Sequence, residues 1–329
     1  MRYTFSTVCS AFLMMLALSC TKDHEVSTIP EPVSFQSTVY ASGLKAAIGM
    51  TLDSKGQIWV SEGGDGKNDA RVSVITADGK VNPVITGFES EVANGAIEGM
   101  GHVLYKDGKL YILNGLANKL YIANISSYNV GDKIALSGLE SQDIGSFIDG
   151  FNLVTPLNSN VYNMTFGPDG HLYILDAGSN AVIKRDQNNG TLSLFAKIPN
   201  VSQSQEPVPT SMVHDGHKFL LTTFSGGPFF KGTAKIFEIN NAGDVKDYKG
   251  DFTTLTSIAL TPGKKPLVTE FAEFSLSPPG FVAGSGRVAD GGGKTLISGL
   301  NMPTDLVRSG DKTYYVLCNG DGTVKKLTY

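Results

Sequence analysis

Asp169-Gly170-His171-Leu172-Tyr173-Ile174 is a glycine turn followed by an apolar strand, and the chain writes it six times. Clear copies are Lys55-Gly56-Gln57-Ile58-Trp59-Val60, Asp107-Gly108-Lys109-Leu110-Tyr111-Ile112 and Asp215-Gly216-His217-Lys218-Phe219-Leu220. Two are eroded: Pro262-Gly263-Lys264-Lys265-Pro266-Leu267-Val268 and Ser309-Gly310-Asp311-Lys312-Thr313-Tyr314-Tyr315-Val316. Glycine supplies the positive φ that tight hairpin turns need, so Asp-Gly between apolar runs is a strong hairpin signal. The residues after each turn are apolar, β-branched or aromatic, which suits strands. The turn glycines stand at 56, 108, 170, 216, 263 and 310, giving steps of 52, 62, 46, 47 and 47 residues. About four short strands per step of this length is the pattern of propeller blades. The expected fold is therefore all-β, a six-bladed β-propeller.

Counting outward from the last copy exposes a gap. After Tyr315 the chain has room for only one further strand, Thr323-Val324-Lys325-Lys326-Leu327, so the sixth blade lacks its fourth. Phe35 to Leu44 resembles the fourth strand of another blade, Lys294 to Leu300. The N-terminal strand is expected to complete the last blade and close the ring, removing sheet edges that would otherwise pair with other chains. The propeller domain then runs over 33–329. Its longest step carries an insertion near Ser137 to Asn160, expected as a loop or short helix on one face, and long loops in compact domains are often functional.

Ahead of the domain, Arg2 precedes the apolar run Ala11-Phe12-Leu13-Met14-Met15-Leu16-Ala17-Leu18, then Ser19 and Cys20. A positive start, a short apolar core and a small residue before the cut make 1–19 a secretory signal peptide. Ala17-Leu18-Ser19-Cys20 resembles a bacterial lipobox, in which the cysteine becomes the acylated N-terminus. Residues 20–32 read as a lipidated tether, polar and broken by Pro30 and Pro32. Lys22-Asp23 resembles the surface-export signals of Bacteroidetes lipoproteins. The expectation is an exported chain anchored in the cell envelope, on the periplasmic or the surface face of the outer membrane, touching the membrane through its lipid only.

Composition narrows the partners. The formal charge is −4, and loss of Arg2 with the signal takes it to −5. No basic stripe exists, which argues against nucleic acid. Cys9 leaves with the signal and Cys20 takes lipid, so Cys318 stands alone and the mature domain has no internal disulfide. The mature domain is expected to be a monomer.

A propeller locates its site by geometry. The first strand of each blade runs from the channel mouth to the glycine turn, and the second returns. Alignment on the turns puts Gly49, Gly101, Asn163, Ser211, Ser257 and Asp305 at the starts, with Glu62, Asn114, Asp176, Thr222, Glu270 and Cys318 with Asn319 at the ends. The expected mouth residues are Glu62, Asn114, Asn163, Asp176, Ser211, Thr222, Glu270, Asp305 and Asn319. They carry four carboxylates and no Lys or Arg. Polar strand ends need only water to explain them; they also suit a small polar ligand or Ca²⁺, which takes oxygen donors.

Other constellations are weaker. His214 and His217 flank a turn with no further ligand at a metal-binding spacing, and His171 sits at another turn. His102 inside a first strand reads as a core histidine, and Trp59 and the second-strand tyrosines as core. No Gly-x-Ser-x-Gly, Cys-x-x-Cys or His-Glu-x-x-His occurs. The glycine-rich run Gly284 to Thr295 lacks the first glycine of a phosphate loop, Val288 standing there, and no helix pattern follows.

Three stretches carry a family resemblance. Pro168-Asp169-Gly170-His171-Leu172-Tyr173-Ile174-Leu175-Asp176-Ala177-Gly178-Ser179-Asn180-Ala181, Val208-Pro209-Thr210-Ser211 with Phe224-Ser225-Gly226-Gly227-Pro228-Phe229, and Leu300-Asn301-Met302-Pro303-Thr304-Asp305-Leu306 resemble the ScyD/ScyE family from about residue 38 onward. Ser211 and Asp305 replace its usual glycines, and Thr222 stands where an acidic residue is common. The resemblance implies an NHL-like six-bladed propeller and little chemistry. Without a nucleophile constellation, the expected function is a ligand- or protein-binding module using the mouth face, and more a non-enzyme than an enzyme. The alternative is a metal-dependent lactone or ester hydrolase of the gluconolactonase kind, with Glu62, Asn114, Asp176 and Asp305 as ligands.

Overall fold

The computed structural model describes residues 29–329; the expected signal peptide, the expected acylation site Cys20 and the expected tether up to residue 28 lie outside the described residues. Six four-stranded antiparallel sheets form the blades. Blade 1 comprises Ala47–Leu52, Ile58–Glu62, Ala70–Ile75 and Val81–Phe88, and blade 2 Met100–Lys106, Lys109–Asn114, Lys119–Asn124 and Glu140–Asp143. Val161–Phe166, Leu172–Asp176, Ala181–Arg185 and Leu192–Lys197 make blade 3; Pro209–His214, Phe219–Thr223, Ala234–Ile239 and Val245–Phe252 make blade 4. Blade 5 holds Leu255–Leu260, Pro266–Glu270, Gly286–Asp290 and Thr295–Leu300.

Blade 6 contains the closure. Pro303–Arg308, Thr313–Cys318 and Thr323–Thr328 are completed by the N-terminal strand Gln36–Ser42, which pairs antiparallel with Thr323–Thr328 from Gln36↔Thr328 to Ser42↔Thr323. Phe35 docks beside it, its N–H donating to the Leu296 carbonyl of blade 5 at 2.9 Å and its ring meeting Tyr314 edge-on at 5.5 Å.

The core is not one mass but six apolar layers, one between each pair of neighbouring blades. Trp59, Val72 and Val74 pack on Val103, Leu110 and Ile112 between blades 1 and 2. Leu317 and Val324 pack on Met50 and Val60 between blades 6 and 1, sealing the circle. Each second strand is thus covered on both faces. All five residues of Ile58–Glu62, Leu172–Asp176 and Pro266–Glu270 are buried, which explains their continuous apolar runs in place of alternation.

The insertion of blade 2 departs from expectation. It holds the short helix Gly145–Asp149, but also the fourth strand of the blade, Glu140–Asp143, paired with Lys119–Asn124. Glu-Ser-Gln-Asp has no apolar residue because this is an outer edge strand facing water, so periodicity is silent there. Two extra hairpins rise beyond the blades: Glu91–Ala93 with Ala96–Glu98, and Phe274–Leu276 with Pro279–Phe281. Among the described residues no helix is long and apolar enough to cross a membrane.

Candidate functional site

Every first strand carries a β-bulge at its entry. The register slips at Ala47/Gly49, Met100/Val103, Val161/Asn163, Pro209/Ser211, Leu255/Ser257 and Pro303/Asp305. A bulge inserts one unpaired residue and re-aims its side chain. The inserted residues are Ile48, Tyr162, Thr210, Thr256 and Thr304, and they line the mouth. Three are threonines for a reason. Thr210 Oγ1 donates to the Leu255 carbonyl at 2.8 Å, Thr256 Oγ1 to the Pro303 carbonyl at 2.8 Å and Thr304 Oγ1 to the Ala47 carbonyl at 3.2 Å. Each hydroxyl latches its blade to the first residue of the next.

One residue deeper lies a polar ring. Blade 2 corrects the sequence alignment here: Met100 pairs with Asn114 as Ala47 pairs with Glu62, so His102 rather than Gly101 is the counterpart of Gly49. The reason is the hairpin. Blade 2 turns through only Asp107 and Gly108, whereas blade 1 uses five residues between Leu52 and Ile58, so alignment on glycine slips by one. His102 occupies the space that Gly49 leaves; a Cβ at Gly49 would stand 2.5 Å from the imidazole.

Asp305 sits at the centre of this ring. Its Oδ2 accepts from the Met50 N–H at 2.8 Å and lies 3.4 Å from His102 Nδ1; its Oδ1 accepts from Ser257 Oγ and the Leu306 N–H, both at 2.8 Å. His102 Nε2 is buried without a hydrogen-bond partner among the described residues, so the expected satisfied core histidine is only half satisfied. Tyr162 meets the His102 ring edge-on at 5.0 Å. Burial, with Asp305 behind it, pushes the Tyr162 hydroxyl well above its ordinary range, so it remains a neutral group.

Glu62 and Asp176 hold equivalent places at their second-strand ends, paired with Ala47 and Val161, and both are buried. Glu62 is held by a bidentate Arg71 at 3.0 and 2.7 Å, by Ser73 and by the Lys45 N–H. Glu270 binds Arg287 the same way at 2.7 and 2.6 Å. Bonding to these carboxylates raises the affinity of Arg71 and Arg287 for their protons above the usual arginine range. Asp176 accepts from Ser159 Oγ and from the Asn160 and Ser179 N–H groups.

The remaining expected residues act the same way. Asn114 takes the Ala117 N–H and donates to the Glu89 carbonyl; Asn163 donates to the Thr210 carbonyl; Thr222 bonds to the Ser211 carbonyl. Asn319 donates to the Ala47 carbonyl and also lines the mouth. Among the described residues no group of three or more His, Cys, Asp or Glu side chains is gathered as for a metal ion.

The mouth opens into a cavity of about 670 Å³. Its floor is the threonine ring with Tyr162. Its walls are Phe224, Phe271 and Phe281 on one side and Ile48, Ala96 and Ile97 on another. Among the described residues no Asp, Glu, Lys or Arg lines it. The phenylalanines belong to a larger stack. Phe281, from the second hairpin, meets Phe224, Phe229, Phe271 and Phe274 at centroid distances of 5.1–5.8 Å. Three of these pairs are edge-to-face and Phe229 with Phe281 is tilted; an edge-to-face pair contributes about 0.5–1.5 kcal/mol beyond burial.

Solved structures share this architecture. A protein of unknown function from Bacteroides thetaiotaomicron superposes with a TM-score of 0.61 at 12% identity, over 90% of this chain and 76% of that one. A candidate gluconolactonase gives 0.57 at 13%, over 90% and 93%. Virginiamycin B lyase from Staphylococcus aureus, solved with quinupristin, gives 0.50 at 16%, over 90% and all of its chain. At such identities the likeness carries the fold alone. No family model matches the chain, and no curated protein matches it.

Of the expected mouth residues Asn319 lines the cavity, and the bulged residues Tyr162, Thr210 and Thr304 line it beside Asn163, Ser211 and Asp305. A bulge leaves no periodic signature, so Tyr162, Thr210, Thr256 and Thr304 passed as neighbours of the mouth residues. A signal was present in the recurring Pro-Thr pairs, Pro209-Thr210 and Pro303-Thr304, and in the density of phenylalanine between Phe224 and Phe281.

Proposed function

We propose that this chain is an exported, lipid-anchored binding propeller that holds an uncharged, largely apolar small molecule in its mouth. The lining carries the reading: an aromatic wall and an aliphatic wall over a threonine floor, with no formal charge among the described lining residues. Taking an ion into such a space would cost several kcal/mol without a partner, whereas a neutral ring system buries its surface at about 25 cal/mol per Å². Pockets of this size and polarity are typical small-molecule sites. The pattern around Arg2, Leu16 and Cys20 supports export and acylation, and the ScyD/ScyE-like stretches support membership of a secreted propeller group. The hydrolase alternative draws support from the gluconolactonase-like neighbour, but it requires Glu62 and Asp176 to release partners they now hold.

The test uses the neutral fluorophore N-phenyl-1-naphthylamine. The protein should enhance its fluorescence saturably with one site per chain. Thr256→Trp, which fills the floor, should abolish the signal while melting cooperatively. Non-saturable enhancement, or a signal unaffected by Thr256→Trp, would reject the mouth as the site.

A further inference from the structure

A second cavity of about 360 Å³ adjoins the first, and the two share Ile48, Ile97, Asn160 and Tyr162 in their linings. Its character is opposite. Glu98, Asn118, Asn158, Ser159 and Asn160 surround it; among the described residues Glu98 is its one charged side chain and no Lys or Arg lines it. We infer that the mouth is a two-chamber site for an amphipathic molecule: an apolar ring body in the main chamber and an uncharged polyhydroxyl arm, such as a sugar, in the annex. The inference rests on the apolar-chamber reading above and adds the second half of the ligand.

The annex is equipped for hydroxyl groups. Asn160 is tethered through its backbone N–H to Asp176 at 2.9 Å, and Asn158 through its carbonyl, which accepts from Ser179 Oγ at 3.0 Å. Both carboxamides stay available to a ligand. Two glycines make their room: a Cβ at Gly115 would stand 2.3 Å from Asn160 Oδ1, and one at Gly178 would stand 3.0 Å from Asn158 Cγ. A carboxamide offers both donors and acceptors, and a carboxylate accepts from two oxygens, so Asn158, Asn160 and Glu98 together match neighbouring hydroxyls that each donate and accept. An anionic arm finds no cation among the described lining residues and meets Glu98. The partition also has a physical basis. Tyr162 and Ile97 stand where the chambers meet, and the hairpin that carries Ile97 and Glu98 contributes to both linings, with Ala96 facing one and Glu98 the other.

The experiment compares two neutral ligands with the same ring, 2-methoxynaphthalene and 2-naphthyl β-D-glucopyranoside, as displacers of N-phenyl-1-naphthylamine from the purified protein. The glucoside should displace at a concentration at least about tenfold lower, one or two good hydrogen bonds' worth. In Asn158→Ala, whose side chain lines the annex and not the main chamber, that advantage should shrink severalfold while 2-methoxynaphthalene binds as in the wild type. Equal displacement by both compounds overturns the annex and leaves the chamber standing. Failure of the fluorophore itself to bind overturns both readings. Tighter binding of 2-(2-naphthyloxy)ethylamine than of the glucoside would replace the polyol with a cation paired to Glu98.

Discussion

Single residues at the mouth do two kinds of work, and substitutions separate them. Glu62 is a buried anion whose partners are Arg71, Ser73 and a backbone N–H. Breaking a buried charge pair from one side costs about 3–5 kcal/mol, so Glu62→Ala should lower the free energy of urea unfolding by about that amount and leave fluorophore binding to the surviving folded protein unchanged. The latches are milder. Each of Thr210→Val, Thr256→Val and Thr304→Val should cost about 1 kcal/mol, the net value of one hydrogen bond.

Cys318 is wholly buried, and burial pushes its thiol from 9.0 to about 12. Folded protein therefore holds a proton that unfolded protein releases between these values. The sign follows: this contribution is intact below about pH 9 and is lost as the pH rises toward 12. Tyr314 and Tyr162, also raised by burial, add to the same alkaline loss. Melting temperature should fall above about pH 9, less steeply in Cys318→Ala relative to its own neutral-pH value. Iodoacetamide should leave the folded thiol unmodified at pH 8 and label it in guanidinium.

Among the elements, Gln36–Ser42 is the one whose loss the ring cannot absorb. It supplies a full edge of hydrogen bonds to Thr323–Thr328, and Ala41 and Leu44 enter the layer between blades 6 and 1. Deleting residues 33–44 should unfold the domain cooperatively rather than fray one blade; an unchanged melting temperature would show that the ring does not depend on this strand. The two hairpins belong to a different class. They wall the cavity and form separate two-stranded sheets outside the blade sheets, the first bridged to blade 1 only at Glu91↔Lys67. Replacing Phe274–Phe281 with a short Gly-Ser turn should weaken fluorophore binding with little change in stability of the blades. The hairpins were invisible in the repeat pattern because no other copy has a counterpart of either, one lying between blades 1 and 2 and the other inside blade 5.

At the scale of the whole molecule, the ring spends its buried carboxylates on joining strands rather than on display at the opening. Added Ca²⁺ should accordingly leave the melting temperature unchanged; a saturable rise would revive the ion-binding alternative. The repeat, its step and the missing strand were all legible in the sequence, because turn chemistry and strand burial are local and each copy states them again. That six glycine turns become six blades, and that Phe35 to Leu44 closes the last, followed from counting alone. The character of the mouth was not legible. Whether Glu62 faces a ligand or an arginine nine residues away depends on the register of the strand beside it. Whether position 162 or 163 faces the opening depends on a bulge that no periodicity records. The aromatic wall gathers Phe224 from blade 4, Phe271 from blade 5 and Phe281 from a hairpin, neighbours in space only because the ring turns. Sequence determined the architecture, since hairpins and strands obey short-range rules; tertiary structure decided the chemistry of the opening, since that surface exists only where six separate segments converge.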